Sequence, residues 1–139
     1  MGISKIYLAG TGRKGEVFAS GWRLDAKRKF AERGIETIDP FRNKDLSEKC
    51  EIYTPNEIVV RDLWDIRRSD LVFAEVTHDD CQYLGTSMEI MAASKFYDKP
   101  VVVWASEKAQ YHYWLRALAV FISTDFNECV EYVEGMWTS

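Results

Sequence analysis

The sequence predicts an α/β domain built on a parallel sheet with helices on both faces. Short apolar runs at 5–9 (KIYLA), 71–76 (LVFAEV) and 101–104 (VVVW) are nearly continuous, as strands covered on both sides must be. Stretches of helical period separate them, bounded by capping residues, glycine and proline. The alternation runs through all 139 residues with no repeat, low-complexity tract or linker, so residues 1–139 are read as one domain.

The first strand, 5–9, ends at a glycine-rich turn, Gly10-Thr11-Gly12-Arg13-Lys14-Gly15. From 16 to 33 the pattern is helical: Phe18, Trp22, Ala26 and Phe30 recur every fourth residue beside Val17, and Gly34 supplies the stop. Residues 35–39 (IETID) form a second, more polar strand closed by Pro40. The segment 41–53 has weak periodicity and reads as a polar excursion over the active edge, of a length typical of lids or partner contacts. Thr54-Pro55-Asn56-Glu57 combines a capping residue, Pro at the first helical position and Glu three after the cap, which starts a helix to about Arg68.

A third strand at 70–76 leads through a polar loop to a helix at 86–97. Asp98-Lys99-Pro100 turns the chain into the strand 101–104. Residues 109–118 are aromatic and partly helical, 119–122 can form a short fifth strand, and Asp125 caps a last helix at 126–134 before Gly135. Right-handed βαβ units with five strands predict a flavodoxin-like three-layer α/β/α arrangement of order 2-1-3-4-5.

Lys and Arg total 18 against 22 Asp and Glu, and this net charge of −4 gives no general attraction to a nucleic-acid polymer. No run reaches the ~18 apolar residues of a membrane span, and MGISKIYLAG enters a strand without the apolar core of a secretion signal. Cys50, Cys81 and Cys129 are odd in number and widely spaced, which reads as reduced thiols of a cytoplasmic protein. The two histidines, His78 and His112, have no metal-ligand spacing, so a metal site is not expected.

Glu89, near the start of the helix after the third strand, is the leading candidate for chemistry. Unpaired N–H groups and the positive dipole end there would favour its carboxylate. Open α/β sheets bind ligands outside the carboxyl ends of their strands, where this residue falls. The competing reading is a capping box, Thr86-x-x-Glu89, in which the carboxylate only ties down the backbone. The turn at 10–15 matches G-x-G-x-x-G, with Asp39 where a ribose-binding acid would sit. Arg13 and Lys14, however, crowd the position a dinucleotide needs, so the turn suits a single phosphate or sugar hydroxyl, or is only a tight turn. Asp62 and Asp65 share a helical face, either to reach a substrate or to pair with Arg61, Arg67 or Arg68. The loop His78-Asp79-Asp80-Cys81-Gln82-Tyr83 is polar enough to read a base edge or to be merely a turn.

KIYLAG, RDLWDIRRSDLVFAEV, LGTSMEI and KPVVVW, in that order across residues 5–104, resemble nucleoside 2-deoxyribosyltransferases and the related 2′-deoxynucleoside 5′-monophosphate N-glycosidases. The resemblance implies cleavage of an N-glycosidic bond through a glutamyl–deoxyribosyl intermediate, without metal or cofactor. It places Glu89 on the nucleophile, Asp62 on an acid that contacts substrate, and Tyr7 on the tyrosine that positions the nucleophile. The substrate is then expected against Gly10, Thr11, Arg13, Gln82, Tyr83, Gly85 and Ser87. Transferases of the family commonly carry Asp six residues before the nucleophile, where this chain has Tyr83, while Arg13 and Lys14 point toward a 5′-monophosphate. The implied partners are a deoxynucleoside or deoxynucleotide and a free base. The implied assembly is a homo-oligomer, with Tyr111 to Trp114 and Trp137 either contacts between subunits or ordinary core packing. The alternatives to transfer are hydrolysis of a deoxynucleoside monophosphate and non-catalytic nucleotide binding.

Overall fold

The computed structural model describes residues 2–13, 21–42 and 44–137. Its elements are β1 (Lys5–Ala9), α1 (Trp22–Ala31), β2 (Glu36–Ile38), α2 (Leu46–Ile52), α3 (Pro55–Arg67), β3 (Leu71–Val76), α4 (Leu84–Met91), β4 (Val101–Ala105), α5 (Tyr113–Leu118), β5 (Phe121–Ser123) and α6 (Phe126–Trp137). The five strands pair in parallel in the order β2-β1-β3-β4-β5, as the sequence predicts. This is the flavodoxin-like order.

Strand alternation divides the core into two layers. Ile6, Leu8, Leu71, Phe73 and Val102 pack under α1 and α6 through Trp22, Ala26, Phe30, Cys129, Val130 and Val133. Tyr7, Ala9, Val72, Ala74, Val101 and Val103 face the other way, against Ile66 of α3 and Ile90 of α4. Trp137, a candidate subunit contact, packs instead beside the first of these layers. The chain reverses direction across the sheet between β1 and β3, where Tyr7 lies opposite Val72 and Ala9 opposite Ala74. In this topology that junction opens the ligand crevice.

Several local expectations are revised. The segment 41–53 is not all loop: α2 occupies its second half, started by a capping box between Asp45 and Glu48. Its few apolar residues leave no period to detect, and the helix is held by that cap and by Leu46 N–H donating to the Gly12 carbonyl at 3.0 Å. The helix expected at 86–97 begins earlier, at Leu84, and its last turn widens to a π-helix at Ala92–Phe96. The last helix runs through Gly135 to Trp137, whose carbonyl accepts from Ile3 N–H. The helix expected from Glu16 is described only from Trp22; Lys14, Gly15, Val17 and Phe18 lie outside the described residues. The capping box at Thr54 and Glu57 forms as read.

Gly10 and Gly12 of the first turn answer to the protein's own packing. A Cβ on Gly10 would lie 2.8 Å from Glu75 Oε1 and 2.9 Å from the Trp22 ring, and one on Gly12 would lie 2.7 Å from Phe41. Gly10→Ala is therefore expected to cost about 1–3 kcal/mol of stability through overpacking. A urea midpoint that falls at unchanged slope would confirm it, and an unmoved midpoint would refute it.

Candidate active site

Tyr7 is fully buried in β1, and its side chain points toward α4. Its hydroxyl donates to Glu89 Oε2, joining residues 82 positions apart. The carboxylate is thus held by a side chain. The capping box with Thr86 is not formed: Thr86 already lies inside the helix, whose N-cap is Tyr83, and no side chain caps that end. Glu89 consequently sits in the second turn of α4, beyond the reach of the dipole end expected to keep it ionised. Its pKa is raised to about 7, first by burial and then by the Asp62 charge. The Tyr7 hydrogen bond and the Arg23 and Lys49 charges oppose that rise without cancelling it. Tyr7 is itself held protonated by burial and by Glu89, which keeps it a donor.

Asp62 lies on α3, close enough for its charge to act on both Tyr7 and Glu89. Burial raises its pKa, against the pull of Lys49. Lys49 Nζ stands 3.4 Å from Asp62 Oδ1 and donates to the Pro40 carbonyl at 2.9 Å. Asp65, on the same face, is buried and bridges Arg42 at 2.8 Å and Arg68 at 3.2 Å. The two aspartates therefore divide: Asp65 is a structural anchor, whereas Asp62 faces the Tyr7–Glu89 pair. Lys49 escaped the sequence reading because nothing in 41–53 distinguishes a lysine that folds inward from one that is solvated.

Glu75 was also missed, although a carboxylate inside the apolar run LVFAEV is a readable signal, since burying one demands hydrogen bonds. It is fully buried and accepts from Thr11 N–H at 3.1 Å, Thr77 N–H at 2.8 Å, Thr77 Oγ1 at 2.7 Å and the Tyr83 hydroxyl. Tyr83 adopts the left-handed conformation, φ 52°. Its hydroxyl also accepts from His78 N–H at 3.0 Å. Glu75 thereby ties the glycine turn to the loop before α4. Arg13 reaches the same loop through Asp80 at 3.2 Å, near the surface.

Asp39, the candidate ribose ligand, accepts from Phe41 N–H at 2.8 Å and pairs with Arg23 at 3.6 Å. Arg23 is buried and donates to the carbonyl of Thr11 at 2.9 Å and, at 3.4 Å, to that of Leu8. Arg23 and Asp39 thus brace the turn from below. Gln82, Tyr83 and Ser87 line a cavity of about 910 Å³ walled by Met88, Tyr111 and Trp114, whereas Gly85 is exposed. That cavity runs along the α4 face bearing Leu84, Ser87, Met88 and Met91, which at about 3.6 residues per turn is turned away from Glu89. The structure therefore brings Tyr7, Asp62 and Glu89 together and sets this cavity apart from them. Among the described residues no three His, Cys, Asp or Glu side chains are gathered to hold a metal, and no helix is long and apolar enough to cross a membrane.

No protein-family model and no curated protein matches the chain. Solved structures do. The chain is similar to the 2-deoxyribosyltransferase of Bacillus psychrosaccharolyticus, with TM-score 0.67 and 18% identity over 93% of this chain and 92% of that one. It is similar to the 2-desoxiribosyltransferase of Leishmania mexicana, with TM-score 0.65 and 16% identity over 96% and 99%. A conserved protein from Enterococcus faecalis V583 aligns with TM-score 0.69 and 17% identity over 96% and 98%. At these identities the shared property is the fold, nearly end to end.

Proposed function

We propose that this protein cleaves the N-glycosidic bond of 2′-deoxynucleosides and transfers the sugar to a second nucleobase. The observation that carries the reading is the Tyr7–Glu89 contact beside Asp62, at the sheet junction of a fold found in 2-deoxyribosyltransferases. The Glu89 carboxylate attacks the anomeric carbon, and the carbon–nitrogen pair leaves with the base, which takes up a proton. The sugar is then held as a glutamyl ester, as in retaining glycoside cleavage. A nitrogen of the acceptor base attacks the same carbon, the ester carbon–oxygen bond breaks, and the carboxylate is regenerated. Tyr7 orients the nucleophile and Asp62 hydrogen-bonds the substrate. Gly10, Thr11, Arg13, Tyr83 and Gly85 are assigned to the surrounding substrate surface, whereas Gln82 and Ser87, expected there from the resemblance, line the cavity on the face of α4 turned away from Glu89.

The test is brief exposure to a 2-fluoro-2-deoxy nucleoside followed by intact mass measurement. One sugar adduct, mapped to Glu89, is expected. Turnover of ordinary deoxynucleosides by the Glu89→Gln variant at the wild-type rate would refute the mechanism, and binding without turnover by the wild type would favour a nucleotide-binding role.

One observation favours hydrolysis as a second reading. The Tyr83 hydroxyl stands where transferases commonly carry an acid, and it is already engaged by Glu75 and His78 N–H. Water would then replace the acceptor base, and a 5′-monophosphate would give free base and deoxyribose 5-phosphate. Under this reading Arg13→Ala raises KM for the monophosphate about tenfold and leaves the nucleoside unaffected, a contrast that steady-state kinetics on both substrates resolves.

The assignment of a homo-oligomer rests on Trp64 of α3, Leu84 and Met88 of α4, and Tyr111, Tyr113 and Trp114, which are more than half exposed. Apolar surface of this extent is commonly covered by a partner, here a second copy. Light scattering on the eluted protein measures the mass directly.

A further inference from the structure

The glycosidic reading uses Glu89, Tyr7 and Asp62 and leaves one buried cation without a task. Lys49 is 2% exposed, and its ammonium lies 4.7 Å from the centre of the Phe41 ring in addition to its Pro40 and Asp62 contacts. A lysine this deep is costly unless a carboxylate answers it. The backbone delivers it there by design of the turn: Asp45 starts α2, Leu46 N–H anchors the helix to Gly12, and Phe41 fills the space a Cβ on Gly12 would take.

We propose that Lys49 is a positioning residue of the proposed cleavage: docking of α2 on the Gly12 turn sets its ammonium against Asp62 and keeps that carboxylate ionised and in place beside Glu89. This rests on Glu89 being the nucleophile. The groups facing the pair are Tyr7 from β1, Arg23 from α1, Lys49 from α2, Asp65 from α3 and Arg42 from the turn after β2. Arg42 is committed to Asp65, and Arg23 to backbone carbonyls and Asp39. Lys49 is the cation placed directly on Asp62. Without it, two desolvated carboxyls share one region with one cation fewer, and the pair holds a proton to higher pH.

The experiment titrates labelled Asp and Glu carboxyls by NMR in the wild type, Lys49→Met, Lys49→Arg and Asp62→Asn, and follows base release from a 2′-deoxynucleoside against pH. In Lys49→Met, Asp62 and Glu89 are expected to titrate about one pH unit higher, with base release down about tenfold at pH 6 and nearly unchanged at pH 9. Lys49→Arg is expected to restore both. A purely structural role would lower activity equally at every pH. Asp62→Asn, which needs no change at Lys49, is expected to let Glu89 ionise at lower pH. Unmoved titrations in a folded Lys49→Met protein overturn the proposal; if that variant does not fold, an unmoved Glu89 in Asp62→Asn overturns it. Should the titrations shift as expected while the wild type releases no base, the Lys49–Asp62 coupling stands and the glycosidic reading falls.

Discussion

Glu89→Gln is expected to abolish base release, by a factor on the order of 10⁴ or more, while making the folded protein more stable at alkaline pH. The first effect follows from removing the carboxylate that the proposed mechanism converts to the sugar ester. The second follows from the environment of Glu89. A carboxyl that titrates near 4.5 in the unfolded chain and about 7 when folded stabilises the native state through its protonated form. That contribution is fully present below about pH 4.5 and is lost as pH rises through 7. By pH 8, ionising Glu89 in place costs up to about 3 kcal/mol, which Gln avoids. The variant should therefore melt above the wild type at pH 8 and close to it at pH 5. Under the proposed mechanism, in which the carboxylate is the attacking form, the same titration is expected to make kcat/KM rise about tenfold per pH unit and level off above 7. Melting curves at the two pH values and one rate profile test both halves. A rate profile flat from pH 5 to 8 would show that Glu89 is ionised throughout.

Glu75→Ala is expected to be the most destabilising substitution at the site, at about 3–5 kcal/mol. It leaves Thr11 N–H, Thr77 N–H, the Thr77 hydroxyl and the Tyr83 hydroxyl without their common acceptor. Against a typical total of about 5–15 kcal/mol, this removes a large share of the fold's margin. It also removes one of the two hydrogen bonds that hold the Tyr83 hydroxyl, leaving only that from His78 N–H to keep the residue at φ 52°, so the start of α4 should fray. Urea unfolding gives the first number, and amide exchange at Ser87, whose N–H donates to the Tyr83 carbonyl, reports the second. A loss below about 1 kcal/mol would mean that water takes over as acceptor.

Local pattern was enough to read the layers, and the flavodoxin-like order it suggested is the one observed. Periods of two and near four, the capping box at Thr54, and the apolar runs at 71–76 and 101–104 are local properties, and such runs call for a parallel sheet covered on both faces. The resemblance brought Tyr7 and Asp62 to Glu89, and the structure places all three together. What only the tertiary structure decided is the charge state and the framing of that group. Read locally, Glu89 belongs to a helix start and should be ionised; folded, it lies in the second turn, beyond the dipole end, where desolvation and Asp62 outweigh Tyr7, Arg23 and Lys49. Lys49 and the left-handed Tyr83 were illegible for the same reason, whereas Glu75 was readable as a carboxylate inside an apolar run but its partners were not. Each is defined by partners far away in sequence, and the free energy of a buried polar group depends on whether those partners arrive, which no local pattern records.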